Sequence, residues 1–135
     1  MTHVDNPQTR CRAGVARGDI TPPVGIYHRM WGAATHDRAT AVHRPLVASV
    51  LWLQPLQGGR DQGQLLVMLD HCILEKTEIE RMQTAVSQSA GIAPQQILIT
   101  MSHTHGAGLM LRSRDSRPGC DLIGPYLDRD RKSVV

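Results

Sequence analysis

Apolar positions along the chain fall into four short runs and one helical stripe. Residues 12–20 alternate small or apolar side chains with polar ones, the period-two signature of a strand, and the Pro22-Pro23 pair then stops it by removing backbone donors. Residues 46–53 (LVASVLWL) and 64–70 (QLLVMLD) are two apolar runs separated by turn-rich residues 55–63, a pattern that predicts a hairpin. Both runs are apolar at successive positions, which predicts strands covered on both faces. From Glu75 to Ala90 the apolar residues Ile79, Met82, Val86 and Ala90 recur at spacings of three and four, so this segment is a helix ending at Gly91. A last strand follows over residues 96–101, and Asp121 is placed to cap a short final helix from Leu122 to about Arg131. Hairpin, helix, strand and helix in this order predict an α/β fold with a mixed sheet flanked by helices. In such sheets ligands bind beyond the carboxyl ends of the strands, where Asp70 and His103 lie.

The run Ile97-Leu98-Ile99-Thr100-Met101 ends in Ser102-His103-Thr104-His105-Gly106-Ala107-Gly108. If the strand continues through the histidines, His103 and His105 share a face at about 6.6 Å along the backbone, twice the rise of about 3.3 Å per residue. Two neutral imidazoles can bind Zn²⁺ together, or one can bind while the other moves protons near neutral pH. Gly106 and Gly108 permit a sharp turn and leave room for a ligand. Two long loops accompany this segment. Residues 21–45 contain Trp31, His36, Asp37 and His43 among small residues, and residues 102–119 carry Arg112, Arg114 and Arg117. Loops of this length within one domain are commonly functional, and the first is expected to fold over the histidines and Asp70.

Composition narrows the function classes. A chain of 135 residues holds one domain or part of one. Its hydrophobic fraction of 41% is that of a globular protein, while aromatics make up 3% with no Phe, so base stacking has little to work with. Net charge is +3 without a concentrated basic stripe, which argues against a nucleic-acid partner. Cys11, Cys72 and Cys120 are odd in number and widely spaced, and they read as reduced buried thiols. The polar residues 1–10 form a disordered N-terminus without a signal-like apolar core, and no run reaches the length of a transmembrane span. The chain as given reads as cytoplasmic.

Four blocks in order, residues 13–25 (AGVARGDITPPVG), Trp31-Gly32 to Pro45-Leu46, Val67-Met68-Leu69-Asp70 and Ser102-His103-Thr104-His105, resemble the N-terminal part of the neutral/alkaline non-lysosomal ceramidases. That resemblance implies a zinc-dependent amide hydrolase that cleaves N-acylsphingosine to sphingosine and fatty acid, with a ceramide-like lipid amide as substrate. It makes His103 a Zn²⁺ ligand and His105 a catalytic group beside the metal. The family motif continues Ser-Gly-Pro where this chain has Gly106-Ala107-Gly108. It also places a later His, Glu and Tyr at the metal, beyond the region that resembles this chain. Residues 11–130 therefore read as an incomplete fragment of a larger ceramidase-like catalytic domain, with 131–135 as a tail.

A catalytic zinc takes three protein ligands and keeps one position open. The candidate additional ligands in this sequence are Asp70, His36, Asp37, His43 and His71, of which Asp70 is also suited to accept a hydrogen bond from a liganding imidazole and is the second catalytic candidate. On the fragment reading, the chain is expected to be weak or inactive alone and to self-associate through uncovered strands. Two other readings stand beside it. A metallo-β-lactamase-like hydrolase shares the His-x-His start but would need ligands where Ala107 and Gly108 stand, and a non-catalytic truncated paralogue or metal- or lipid-binding remnant needs none.

Overall fold

A computed structural model describes residues 9–112 and 116–133, the side chains of 130–133 excepted. The expected disorder of residues 1–8, the position of Arg114 and the last two residues of the tail lie outside the described residues.

Four strands, β1 (Cys11–Asp19), β2 (Val47–Pro55), β3 (Gln64–Leu69) and β4 (Ile97–Met101), form one sheet in the order β1-β2-β3-β4. β1 pairs antiparallel with β2 and β2 antiparallel with β3, as the hairpin pattern predicts, whereas β4 returns parallel to β3. A parallel return needs a crossover, and α1 (Lys76–Ala90) supplies it. Gly91 takes the left-handed conformation at φ 64° and donates its N–H to the Ser87 carbonyl, which ends α1 where the sequence pattern ends it. Gln96 then fixes the entry of β4. Its buried amide donates to the carbonyls of Arg60 and Gly63, both at 2.7 Å, and so ties the β2–β3 turn to the start of the last strand. The final helix, α2 (Ile123–Ser133), extends through residues expected to form the tail.

The sheet has one covered face. In register, Val50, Val67 and Ile99 form one row across β2, β3 and β4, and Trp52, Leu65 and Ile97 form another. These side chains join a core with Met82 and Val86 of α1 and Ile123, Tyr126 and Leu127 of α2. The opposite face carries the row Val15, Leu51, Leu66 and Leu98, one aliphatic residue from each strand. Val15 is 83% exposed and Leu98 56% exposed. Among the described residues this face has no second layer, which corrects the expectation of strands covered on both sides.

A polar staple binds the helices to each other. Glu78 sits on α1 at 2% exposure and receives Arg112 Nε at 2.6 Å and Arg81 at 2.7 Å, while Arg112 also reaches Asp128 of α2 at 2.7 Å. A carboxylate this deeply buried is tolerated because it is paired and hydrogen-bonded. The Glu78 hydrogen bond is the main reason that the Arg112 guanidinium holds its proton even more firmly than usual.

Candidate functional site

β3 and β4 run parallel, so their carboxyl ends open at the same edge, and the segments that follow them carry the candidate site. Ser102 N–H donates to the Leu69 carbonyl at 2.9 Å, which keeps the two exits adjacent. The strand, however, ends at Met101. His103 takes a left-handed backbone with φ 58°, and His105 opens a 3-10 turn that Thr104 caps by accepting the Gly106 N–H. The two rings still meet, with centroids 5.5 Å apart and planes at 60°. Their proximity therefore comes from a kink and a turn, not from the strand extension that the spacing suggests. His103 is the one described non-glycine residue with positive φ. Such strain costs of order 1–3 kcal/mol and persists only where the surroundings enforce it, often at functional sites.

Cys72 is the residue that sequence reasoning left among inert thiols. It follows β3 by three residues, is buried, and places Sγ 3.6 Å from His103 Nδ1 and 3.7 Å from Nε2. Cys72, His103 and His105 each offer one ligand atom, and these atoms lie within 4.8 Å of one another. Among the described residues they form the one such group of three or more His, Cys, Asp or Glu side chains. Thiolate and imidazole are the donor types that Zn²⁺ favours, so the residues fit a transition-metal ion. A findable signal lay in the sequence Leu69-Asp70-His71-Cys72, which puts a thiol at the end of the strand neighbouring β4. Cys120 is also buried, but Cys11 is exposed because it opens the edge strand β1, against the expectation of three buried thiols.

The other candidate ligands go elsewhere. Asp70 Oδ2 accepts the Val47 N–H at 3.0 Å, while the Asp70 N–H donates to the Val47 carbonyl, so this residue clamps the start of β2. It lies at the same sheet edge as the histidines but does not join the Cys72 group. His71 is fully buried with Nε2 3.3 Å from the Tyr126 hydroxyl, Asp37 pairs with Arg29 at 3.4 Å, and His36 stacks on His28 at 6.0 Å. His43 lines a neighbouring cleft.

The loop of residues 21–45 does fold over this edge. Ile26 and Tyr27 are buried completely, and a short antiparallel bridge joins Tyr27 to Arg38, so the loop is a pinned flap more than an irregular excursion. Its anchors are these two residues, with Arg117 donating to the Tyr27 hydroxyl at 2.6 Å. Trp31 instead lies against the site, its ring 4.7 Å from that of His105, and His28 Nε2 sits 3.0 Å from the Gly106 carbonyl. Gly108 explains why the turn can approach so closely: its φ of 75° suits glycine, and a Cβ there would stand 3.1 Å from His28 Cα. Between flap and sheet edge lies a cleft of about 550 Å³ with apolar walls from Val24, Ile26, Val42 and Leu46. His28, His43, Arg44, Asp70 and Thr104 supply its polar groups, and it reaches Thr104 and Gly106 on either side of His105.

Fold and edge together define an α/β unit whose histidine turn, thiol and apolar cleft converge at the exit of two parallel strands. Two solved structures share this fold. One is the neutral ceramidase from Pseudomonas aeruginosa, with a TM-score of 0.64 and 15% identity over 94% of this chain. The other is a ceramidase complexed with C2, with a TM-score of 0.70 and 13% identity over 95% of this chain. The chain spans 22% and 20% of those proteins. No family model matches the sequence, and no curated protein matches it. Among the described residues no helix is long and apolar enough to cross a membrane.

Proposed function

We propose that this chain carries the metal-binding edge of a zinc-dependent amide hydrolase of the neutral-ceramidase type, acting on a ceramide-like lipid amide. The observation that carries the reading is the convergence of His103 and His105 at the carboxyl end of a parallel strand pair, within a fold shared over 94% of the chain with a neutral ceramidase. The four sequence blocks that resemble that family supply the flap, β3 and the histidine turn of this edge. In this reading His103 holds the ion, and the ion when bound supplies Lewis-acid polarisation of the amide carbonyl and an acidified water. His105, partly sheltered by Trp31, is the neighbouring group that hydrogen-bonds the reacting carbonyl or carries a proton. Asp70 holds the edge in shape through Val47. The apolar walls of the cleft suit a hydrocarbon chain, and its polar groups, which include Thr104 between His103 and His105, suit the amide and hydroxyls of a head group. The uncovered row Val15, Leu51, Leu66 and Leu98 is the surface through which chains would associate.

The test is zinc content and lipid-amide hydrolysis by the 135-residue chain, with His103→Ala as the blank. One zinc per chain, lost in His103→Ala, is the expected result. Release of labelled fatty acid from ceramide should be low, because the family resemblance places a later His, Glu and Tyr of the site outside this sequence. Equal zinc, or none, in both proteins overturns the reading. Robust zinc-dependent turnover would show that the remaining ligands come from within these 135 residues.

A further inference from the structure

We infer that Cys72 is a metal ligand, and that the ion at this edge is held by one thiolate and two imidazoles from Cys72, His103 and His105, so that His105 enters the shell instead of standing beside it. This inference rests on the metal-binding reading above and adds a donor that the sequence resemblance does not supply. The argument is geometric first. In a tetrahedral site with Zn–S of about 2.3 Å and Zn–N of about 2.0–2.1 Å, the sulfur and nitrogen donors stand about 3.6 Å apart. Cys72 Sγ lies 3.6 Å from Nδ1 and 3.7 Å from Nε2 of His103, so the sulfur stands at that spacing and a turn of the imidazole aims one nitrogen at a shared ion. His105 completes the group with a ligand atom inside the 4.8 Å span, so a small rotation of its exposed side chain closes the shell.

The backbone supports the same assignment. Cys72 and His103 are brought together by the parallel pairing of β3 with β4, and the left-handed conformation of His103 turns this residue out of strand geometry at the site. Three protein donors suffice to hold Zn²⁺ or Co²⁺ on this chain by itself. The Cys72 thiol is buried while both imidazoles are exposed, so the group is reached from the solvent side. The plain alternative is a thiol–imidazole hydrogen bond between Cys72 and His103 with no part in metal binding, since 3.6 Å suits that contact as well.

Co²⁺ substituted for Zn²⁺ separates these outcomes on the full chain, because thiolate coordination gives an intense sulfur-to-cobalt charge-transfer absorption that imidazole coordination lacks. The wild-type protein should bind one Co²⁺ with this band and with the visible absorption of a tetrahedral site. Cys72→Ser should lose the band and bind at least 10-fold more weakly, whereas Cys11→Ser should keep both. Cobalt bound without the band, at an affinity that Cys72→Ser leaves unchanged, overturns the role of Cys72 and leaves the histidine-based metal reading standing. No cobalt or zinc bound by the wild-type chain overturns both. The wild-type spectrum needs no variant, so the test holds even if Cys72→Ser folds poorly.

Discussion

The two faces of the sheet are made of the same residue types and have different fates. On one, Val67, Leu69 and Leu65 of β3 pack beneath α1 and α2 and are buried. On the other, Leu66 and Met68 of the same strand join Val15, Leu51 and Leu98 in an apolar surface, with Met68 49% exposed. Hydrophobic pattern therefore reports that a face is suited to burial, but cover comes from elements elsewhere, and here the two helices serve one side. Large contiguous apolar surfaces mark interaction sites in folded proteins.

The sharpest way to break the comparison is a pair of truncations at equal chemistry. Leu69→Ala removes a fully buried side chain and should cost about 2–5 kcal/mol in denaturant unfolding, by lost transfer energy plus a cavity. Leu98→Ala, one strand away on the open face, should change stability by less than about 0.5 kcal/mol. Its effect should appear instead as weaker concentration-dependent association in sedimentation. Equal costs for the two would mean that both faces are covered in solution.

Much of this fold was legible because its signals are local. The stripe of α1, Gly91 at its end, the β2–β3 hairpin and the run of β4 each follow from a short window of sequence, and all four stand where the pattern puts them. The staple was not legible, since Glu78 is a charged residue on the same buried face as Met82 and Val86 and its partner Arg112 is 34 residues away. The candidate site divides the same way. His103 and His105 are announced by their spacing, whereas Cys72 joins them only through strand pairing across a 31-residue separation. His36, Asp37, His43 and His71 show the converse, as ligand-type residues near the right segments whose side chains are occupied by stacking, ion pairing, a cleft wall and the core.

Cover itself can be weakened next. Arg112 holds α1 to α2 through Glu78 and Asp128, and it also donates its backbone N–H to Glu75. Arg112→Ala leaves a buried carboxylate with Arg81 as its remaining ion-pair partner among the described residues. Removing one partner of a buried pair costs about 3–5 kcal/mol, and the surviving Arg81 contact should hold the loss to roughly 2–3 kcal/mol. Arg112→Ala with Glu78→Gln should recover part of that loss, because the uncompensated charge is then gone. If the double variant is no more stable than the single one, the staple acts through packing of the arginine stem and not through charge.

The smallest effect concerns the strand that the comparison leaves most exposed. β1 pairs with β2 alone, and its last residue, Asp19, is tied to the segment that follows: the Thr21 N–H donates to Asp19 Oδ1 at 2.7 Å while Thr21 Oγ1 accepts the Leu46 N–H at 2.9 Å. Hydrogen bonds from the Thr21 side chain and then its backbone hold the Asp19 carboxyl below the usual aspartate range, with a smaller contribution from the Arg129 charge. A carboxyl whose folded value is depressed stabilises the fold fully above its unfolded value of about 3.9, and that contribution disappears as pH falls through the lower folded value. Asp19→Asn keeps an acceptor for the Thr21 N–H but cannot ionise. Wild type should therefore melt slightly above Asp19→Asn at pH 5–7, and the two curves should converge as the pH falls past the unfolded value and through the depressed folded one. A gap that stays constant over that range would show that the carboxyl contributes by its shape and not by its charge, and that the turn after β1 is held through Thr21 and Leu46 alone.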